Sequence, residues 1–141
     1  MPAFNEAKTI KTMITEVAPL VDRVVVVDDG STDQTYDLAK TAGAGVELLR
    51  HLINRGQGAA LRTGGEYSLS RGADIIIHFD ADGQFLSQDI AKIIAPIKSG
   101  AAEVVYGSRF LGAGTKMPFL KRRLLMPLAR LVNKVFFKID L

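Results

Sequence analysis

Short apolar runs alternate along this chain with longer stretches that have helical periodicity. The apolar runs are rich in β-branched residues and stop at polar, often glycine-containing segments, which is typical of buried strands that end in loops. Strands are predicted at residues 24–27, 46–49, 75–79 and 104–106, of which 46–49 is the weakest. Helices are predicted at about residues 5–21, 32–42, 58–70 and 87–98. This alternation predicts an α/β fold, a three-layer Rossmann-like arrangement in which helices flank a mostly parallel sheet.

Polar side chains follow three of the predicted strands. Asp28 ends the first, Asp80 follows the strand at 75–79, and Arg109 comes shortly after the strand at 104–106. Ligands of parallel α/β sheets bind beyond the carboxyl ends of the strands. We therefore expect these three loops to converge on one cleft.

The composition limits the chemistry that such a cleft can support. The 141 residues contain 48% hydrophobic residues and no cysteine, so one domain with a buried core is expected and a thiolate metal site is excluded. A bound metal would be a hard cation held by oxygen or imidazole. No signal peptide and no apolar stretch approaching the roughly 20 residues of a membrane span is seen. We expect a cytoplasmic protein, peripheral on the cytoplasmic face of a membrane at most.

The charge is divided unevenly between two parts of the chain. Residues 1–115 carry 11 basic and 14 acidic side chains, whereas residues 116–141 carry 7 basic and 1 acidic. We therefore predict a core at 1–115 and a basic amphipathic segment of the same domain at 116–141. This segment can bind an anionic membrane surface or ligand, or it can pack on the core with its charges solvated. A nucleic-acid partner is not expected.

The run Asp80-Ala81-Asp82-Gly83-Gln84 is the strongest candidate for chemistry. In an extended chain, carboxylates two residues apart point to the same side, where they repel unless a cation or a donor lies between them. With the Gln84 oxygen they offer hard ligands for Mg²⁺ or Mn²⁺. The alternative is an acidic turn or a helix cap.

Three other segments add candidate binding groups. Asp28 and Asp29 can accept from a base N–H or a ribose hydroxyl, although a turn that caps a helix also explains part of this segment. The loop around Arg55 and Gly56 precedes a helix, where anions are attracted, but it lacks the Lys-Ser/Thr of a P-loop. Arg109 can clamp a diphosphate. His51 and His78 are predicted to be structural.

Five segments in this order resemble family-2 glycosyltransferases of the GT-A fold, in particular dolichol- or polyprenol-phosphate mannosyltransferases and glucosyltransferases. These segments are Pro2 to Glu6, Val26 to Asp33, Asn54 to Gly64, Asp80 to Gln84 and Gly107 to Phe110. Together they cover nearly the whole chain. A nucleotidyltransferase is disfavoured because no glycine-rich loop with Arg or Lys follows the first strand position.

The resemblance implies a role for individual residues. The residues expected to bind the nucleotide sugar are Pro2, Phe4, Glu6, Asp28, Asp29, Arg55, Gly56, Ala81 and Arg109. Asp80, Asp82 and Gln84 would hold the metal against the diphosphate, and catalysis would depend on Asp80, Asp82 and Arg109. Arg123 or Arg122 would contact the acceptor phosphate.

The implied reaction is metal-dependent, inverting transfer of mannose or glucose from GDP-mannose or UDP-glucose to a polyprenyl or dolichyl phosphate. A polysaccharide or other acceptor, or an inactive nucleotide-binding fragment, remains an alternative. The family normally has an apolar strand before the segment that starts at Pro2, and a further segment beyond the basic helix. Both lie outside these 141 residues. An open sheet position favours pairing with another chain, so a homodimer is expected.

Overall fold

The computed structural model describes residues 1–43 and 45–107. The chain divides into two compact units, Met1–Val105 and Tyr106–Leu141. Only Tyr106 and Gly107 of the second unit are described. The predicted basic segment at 116–141 lies outside the described residues and remains a prediction, as does the boundary at residue 115.

Three parallel strands form the sheet of the first unit. They are β1 (Pro2–Ala3), β2 (Val24–Asp28) and β3 (Val46–Arg50), in the spatial order β1-β2-β3. Val24 to Asp28 pair in register with Val46 to Arg50, while β1 pairs only with the last two residues of β2. The strands predicted at 24–27 and 46–49 are therefore confirmed, and the α/β class with a parallel sheet is confirmed with them.

Within residues 1–43 and 45–107, four helices flank this sheet. They are α1 (Ile10–Val17), α2 (Thr35–Lys40), α3 (Gln57–Ser70) and α4 (Ile90–Lys98), and short 3₁₀ turns at Ala18–Leu20 and Ser87–Asp89 adjoin α1 and α4. All four predicted helices exist, but α1 starts five residues later than predicted. Asn5 has a φ of +57°, which a helix cannot contain.

The apolar faces of α1 and β2 form the centre of the core. Ile10, Met13, Ile14 and Val17 recur at helical spacing on α1, and all four are buried. They belong to one apolar cluster with Val26 of β2. In addition, α3 packs on β1 and β2, and α2 packs on β2 and β3. The carboxyl ends of the strands are thereby held on a rigid support.

The strands predicted at 75–79 and 104–106 are wrong, because neither segment has regular secondary structure. A strand needs a partner backbone, and β1 offers only two residues on its side of β2. A cavity of about 520 Å³ is lined there both by Val24 and Val25 and by residues 75–79. The segment at 104–106 exposes Val104 and Tyr106 to solvent. The apolar character of these two segments therefore does not lead to strand pairing.

The amino group of Met1 lies at this cavity and is partly buried. Its nitrogen donates to the carbonyl oxygen of Val25 at 2.8 Å. Burial lowers the pKa of the Met1 ammonium from 8.0 to about 6, although the nearby Asp80 charge acts in the opposite direction. The folded state thus favours the neutral amine.

For the 141-residue chain with a free amine at Met1, we predict a stability change with pH. Because the pKa of this amine is lower in the folded state, the unfolded state takes up the proton first as the pH falls from 8.0 to about 6. The free energy of unfolding should fall by about 2–3 kcal/mol over this range. Denaturant titrations of the free and the N-acetylated chain at several pH values test this, since the acetylated amide keeps the N–H but does not titrate. Parallel pH profiles for the two forms would contradict the prediction.

Candidate functional site

A cleft of about 310 Å³ lies at the carboxyl end of the sheet. Four segments line it: the end of β1 with the loop that follows, the residue after β2, the start of α3 with the loop before it, and residues 80–82. The lining residues are Pro2, Ala3, Phe4, Glu6, Asp29, Asn54, Gln57, Ala60, Asp80, Ala81 and Asp82. The predicted convergence of the loops at 28–33 and 80–84 is thus observed. Arg109 lies outside the described residues.

Asp29 lines this cleft and is buried, with 3% of its surface exposed. Its Oδ1 accepts from His51 Nδ1 at 2.6 Å and from the Arg55 N–H at 3.0 Å. Its Oδ2 accepts from the Gly56 N–H at 2.7 Å. Beyond this, Thr63 Oγ1 lies 3.0 Å from His51 Nε2. One carboxylate therefore ties the end of β2 to the end of β3 and to the start of α3.

The hydrogen bonds to Asp29 decide its charge. Burial raises the pKa of this carboxyl, but the hydrogen bonds from His51 and from the N–H groups of Arg55 and Gly56 outweigh burial and lower it below 3.8. Asp29 is therefore ionised at neutral pH and acts only as an acceptor. A ligand that enters the cleft meets a buried negative charge.

Asp28, although adjacent, has a different environment. It is fully buried, forms an ion pair with Arg50 Nε at 3.0 Å, and accepts from the Ser31 N–H at 3.2 Å. The Arg50 guanidinium also lies 4.5 Å from the centre of the Tyr36 ring. Asp28 does not line the cleft. Of the two aspartates expected to contact the base, the geometry brings only Asp29 to it.

Asp80 and Asp82 both line the cleft, with buried Ala81 between them in sequence. Gln57 Nε2 donates to Asp80 Oδ1 at 3.0 Å, which links this segment to the start of α3. Asp82 Oδ1 accepts from the backbone N–H of Gln84 at 2.9 Å. The turn between them requires the positive φ of Gly83, +76°. Among the contacts of the described residues, these hydrogen bonds leave lone pairs on both carboxylates for a ligand or a cation.

Within residues 1–43 and 45–107, no three His, Cys, Asp or Glu side chains are grouped as a metal site. The Gln84 side chain, expected as a third ligand, is not among the cleft-lining groups of these residues. Two carboxylates facing one cleft nevertheless fit Mg²⁺, which is often held by one or two carboxylates while phosphate oxygens and water fill its other positions. The donor set therefore suits a cation that arrives with a phosphate ligand.

The loop that follows β1 is held in place by the loop that follows β2. The Asn5 N–H donates to Ser31 Oγ at 3.0 Å, the Glu6 N–H to Thr35 Oγ1 at 2.7 Å, and the Ala7 N–H to Asp33 Oδ2 at 3.1 Å. Burial raises the pKa of Asp33, but its hydrogen bonds, from Thr35 above all, lower it overall. These bonds fix the backbone that carries the cleft residues Phe4 and Glu6.

The segment before α3 contributes differently from the prediction. Arg55 and Gly56 supply backbone N–H groups to Asp29, and neither residue is among the described residues that line the cleft. The side chains that do line it are Asn54 and Gln57, which were not predicted. Both belong to the segment from Asn54 to Gly64 on which the family resemblance rests. The acceptor candidates Arg122 and Arg123 lie outside the described residues.

The described helices include none that is long and apolar enough to cross a membrane.

Comparison with known proteins decides the family. The sequence profile described as Glycosyl transferase family 2 matches residues 1–139. The chain belongs to this family. The cleft contains Pro2, Asp29 and Asp80, and each of them lies in a segment on which the resemblance to this family was based.

Several relatives have related sequences. An uncharacterized protein of Methanocaldococcus jannaschii is 41% identical and covers 86% of this chain and 51% of its own length. UDP-N-acetylglucosamine–dolichyl-phosphate N-acetylglucosaminyltransferase of Methanococcus voltae is 38% identical, over 77% of this chain and 50% of the relative. Polyprenol monophosphomannose synthase of Mycolicibacterium smegmatis is 30% identical, and the match covers 89% of this chain and 49% of the relative. The chain thus spans about half the length of these relatives.

The fold is similar to solved structures. The crystal structure of glucosyl-3-phosphoglycerate synthase from Mycobacterium tuberculosis matches with a TM-score of 0.56 and 28% identity, covering 70% of this chain and 39% of that protein. The similarity supports a GT-A arrangement.

Proposed function

We propose that this chain is the donor-binding part of a glycosyltransferase that moves mannose or glucose from a nucleoside-diphosphate sugar to a polyprenyl or dolichyl phosphate. The observation that carries the proposal is the cleft in which Asp29 and the pair Asp80 and Asp82 face one ligand volume. A nucleoside diphosphate has a base with N–H donors at one end and a diphosphate at the other. Asp29 would match the base, and the pair Asp80 and Asp82 would match the diphosphate.

The described residues would divide the work of binding. Asp29 would accept from the base, while Pro2, Phe4 and Glu6 line the cleft beside it. Gln57 holds Asp80 through its amide and thereby keeps one diphosphate-side carboxylate oriented. Arg109, in the segment after 104–106, is proposed to grip a phosphate. A cleft set in this way binds and orients the donor before transfer.

A divalent cation, Mg²⁺ or Mn²⁺, would be held by Asp80 and Asp82, with Gln84 as a proposed further ligand. When bound, it would neutralise the charge that develops on the departing diphosphate. The residues of the chain orient the sugar so that the acceptor attacks from the opposite side, which gives inversion. A phosphate acceptor is already anionic, so it needs little help from a general base.

The acceptor is proposed from similarity. The relatives from Methanococcus voltae and Mycolicibacterium smegmatis carry a dolichyl-phosphate and a polyprenol in their names. The basic residues at 116–141 would attract an anionic membrane surface and the acceptor phosphate, with Arg123 or Arg122 as the contact. This arrangement would place the protein peripherally on the cytoplasmic face of a membrane.

Replacing Asp82 by Ala tests the diphosphate side of the site. The variant should lose the metal-dependent part of nucleotide affinity, because one of two cation-binding carboxylates is gone. Calorimetry with GDP and UDP, each with and without Mn²⁺, measures this. Replacement of Asp22 by Ala is a control that should leave affinity unchanged, because Asp22 is exposed and does not line the cleft. If Mn²⁺ increased the affinity of the Asp82→Ala variant as much as that of the unchanged chain, the assignment would fail.

A further inference from the structure

Asp29 has only part of its acceptor capacity left for a ligand. An ionised carboxylate offers about four lone-pair positions on its two oxygens. Oδ1 already accepts from His51 Nδ1 and from the Arg55 N–H, so both of its positions are occupied. Within the described part of the chain, Oδ2 accepts from the Gly56 N–H alone. One position therefore remains.

His51 sets which oxygen is occupied. Because Asp29 is ionised and accepts only, His51 Nδ1 must carry the hydrogen in this 2.6 Å contact. His51 is itself held from its other nitrogen by Thr63 Oγ1 at 3.0 Å. Both residues are buried: 8% of the His51 surface and 3% of the Asp29 surface are exposed. The carboxylate is therefore fixed in rotation.

Asn54 adds a donor beside this acceptor. Its Oδ1 accepts from the Gly56 N–H at 2.9 Å, so its NH₂ group points elsewhere and can donate. Asn54 and Asp29 both line the cleft. A ligand edge that fits them has one N–H next to a carbonyl oxygen.

Resting on the proposed function, we propose that His51 is a positioning residue that restricts Asp29 to one ligand N–H, and that the base of the donor is therefore uracil rather than guanine. Uracil presents a single N–H between two carbonyl groups. Guanine presents two adjacent donors, N1–H and the 2-amino group, which a carboxylate satisfies only with both oxygens open. With Oδ1 occupied, the second guanine donor would be buried without an acceptor, and a site built in this way rejects that ligand.

Competitive calorimetry of UDP and GDP on the full 141-residue chain, with Mg²⁺ in every arm, tests the proposal. We expect UDP to bind at least about ten-fold more tightly than GDP, which is the effect of about one unpaired polar group. Equal binding, or tighter binding of GDP, would overturn the assignment of the base. Binding of neither nucleotide would contradict the proposed function itself and the inference with it.

Variants of His51 test whether this residue sets the selectivity for the base. In His51→Leu the carboxylate loses its anchor on Oδ1, and the UDP-to-GDP affinity ratio should fall several-fold toward unity. His51→Asn keeps an N–H near the Nδ1 position and should retain the ratio, as should Thr63→Val, which leaves the contact between His51 and Asp29 intact. Far-UV circular dichroism checks that each variant folds. A ratio that stays unchanged in His51→Leu, or that falls equally in His51→Asn, would show that His51 does not set the selectivity.

Discussion

Replacing Asp29 by Ala is expected to lower the free energy of unfolding by about 3–5 kcal/mol and to abolish nucleotide binding. The buried His51 Nδ1 and the part-buried N–H of Arg55 would lose this acceptor, and the Gly56 N–H would keep only Asn54 Oδ1. The change would also remove the negative charge that Asp29 places at the cleft. No other carboxylate among the described residues ties both neighbouring strand ends to the start of α3.

Urea denaturation at pH 7 measures the stability term, and calorimetry with UDP and GDP measures the binding term. The exposed Asp22 provides a matched control, because its replacement by Ala should change stability by less than about 0.5 kcal/mol. A loss in Asp29→Ala as small as in the control would mean that water replaces the carboxylate without cost. The network would then not hold the cleft together.

The position of the cleft could be predicted from the sequence because it depends on local patterns. The apolar run at 24–27 predicts a parallel strand, and the acidic residues that follow mark its carboxyl end. Asp80 and Asp82 follow another apolar run. Parallel strands and the segments beside them end at the same edge, so the meeting of Asp29 with Asp80 follows without knowledge of distant contacts.

The separate roles of Asp28 and Asp29 could not be predicted in this way. Neighbouring residues at a strand end point in different directions, and the choice depends on which partners lie on each side. Arg50 pairs with Asp28 and His51 with Asp29. Arg50 is the last residue of β3 and His51 follows it, so both partners lie more than 20 residues away in sequence. His51 was predicted to be structural because no second His lies at ligand spacing from it, and its sequence neighbours do not indicate this contact.

The segment at 75–79 shows a further limit of the apolar pattern. Ile75, Ile76 and Ile77 predict burial, and these residues are indeed partly buried beside the cavity at β2. Burial alone does not form a strand, because ladder hydrogen bonds need a neighbouring backbone in register. The two-residue β1 does not extend along this segment. Composition thus predicts the environment of the segment, whereas its secondary structure depends on a partner.

Gly30→Ala is expected to destabilise the protein by about 2–5 kcal/mol and to weaken nucleotide binding. Gly30 has a φ of +72°, which costs a residue with a Cβ about 1–2 kcal/mol. A Cβ at this position would lie 2.6 Å from the carbonyl carbon of Ile53 and 2.7 Å from the nitrogen of Asn54. Both are backbone atoms, so the loop must shift, and overpacking of this kind costs about 1–3 kcal/mol more.

The shift would reach the cleft directly, because Asn54 lines it and Gly30 follows Asp29. Gly65→Ala is the matched control: Gly65 lies within α3, and a Cβ there meets no atom within 4 Å. The control should gain about 0.5–1 kcal/mol, because Ala favours a helix interior more than Gly. If the close approach of Gly30 to the loop matters, thermal and urea unfolding should show changes of opposite sign in the free energy of unfolding of the two variants. Titrations with UDP and GDP measure the nucleotide affinity of each variant. Equal stability of the two variants would show that the 53–54 loop moves aside at no cost and that its packing on Gly30 does not position Asn54.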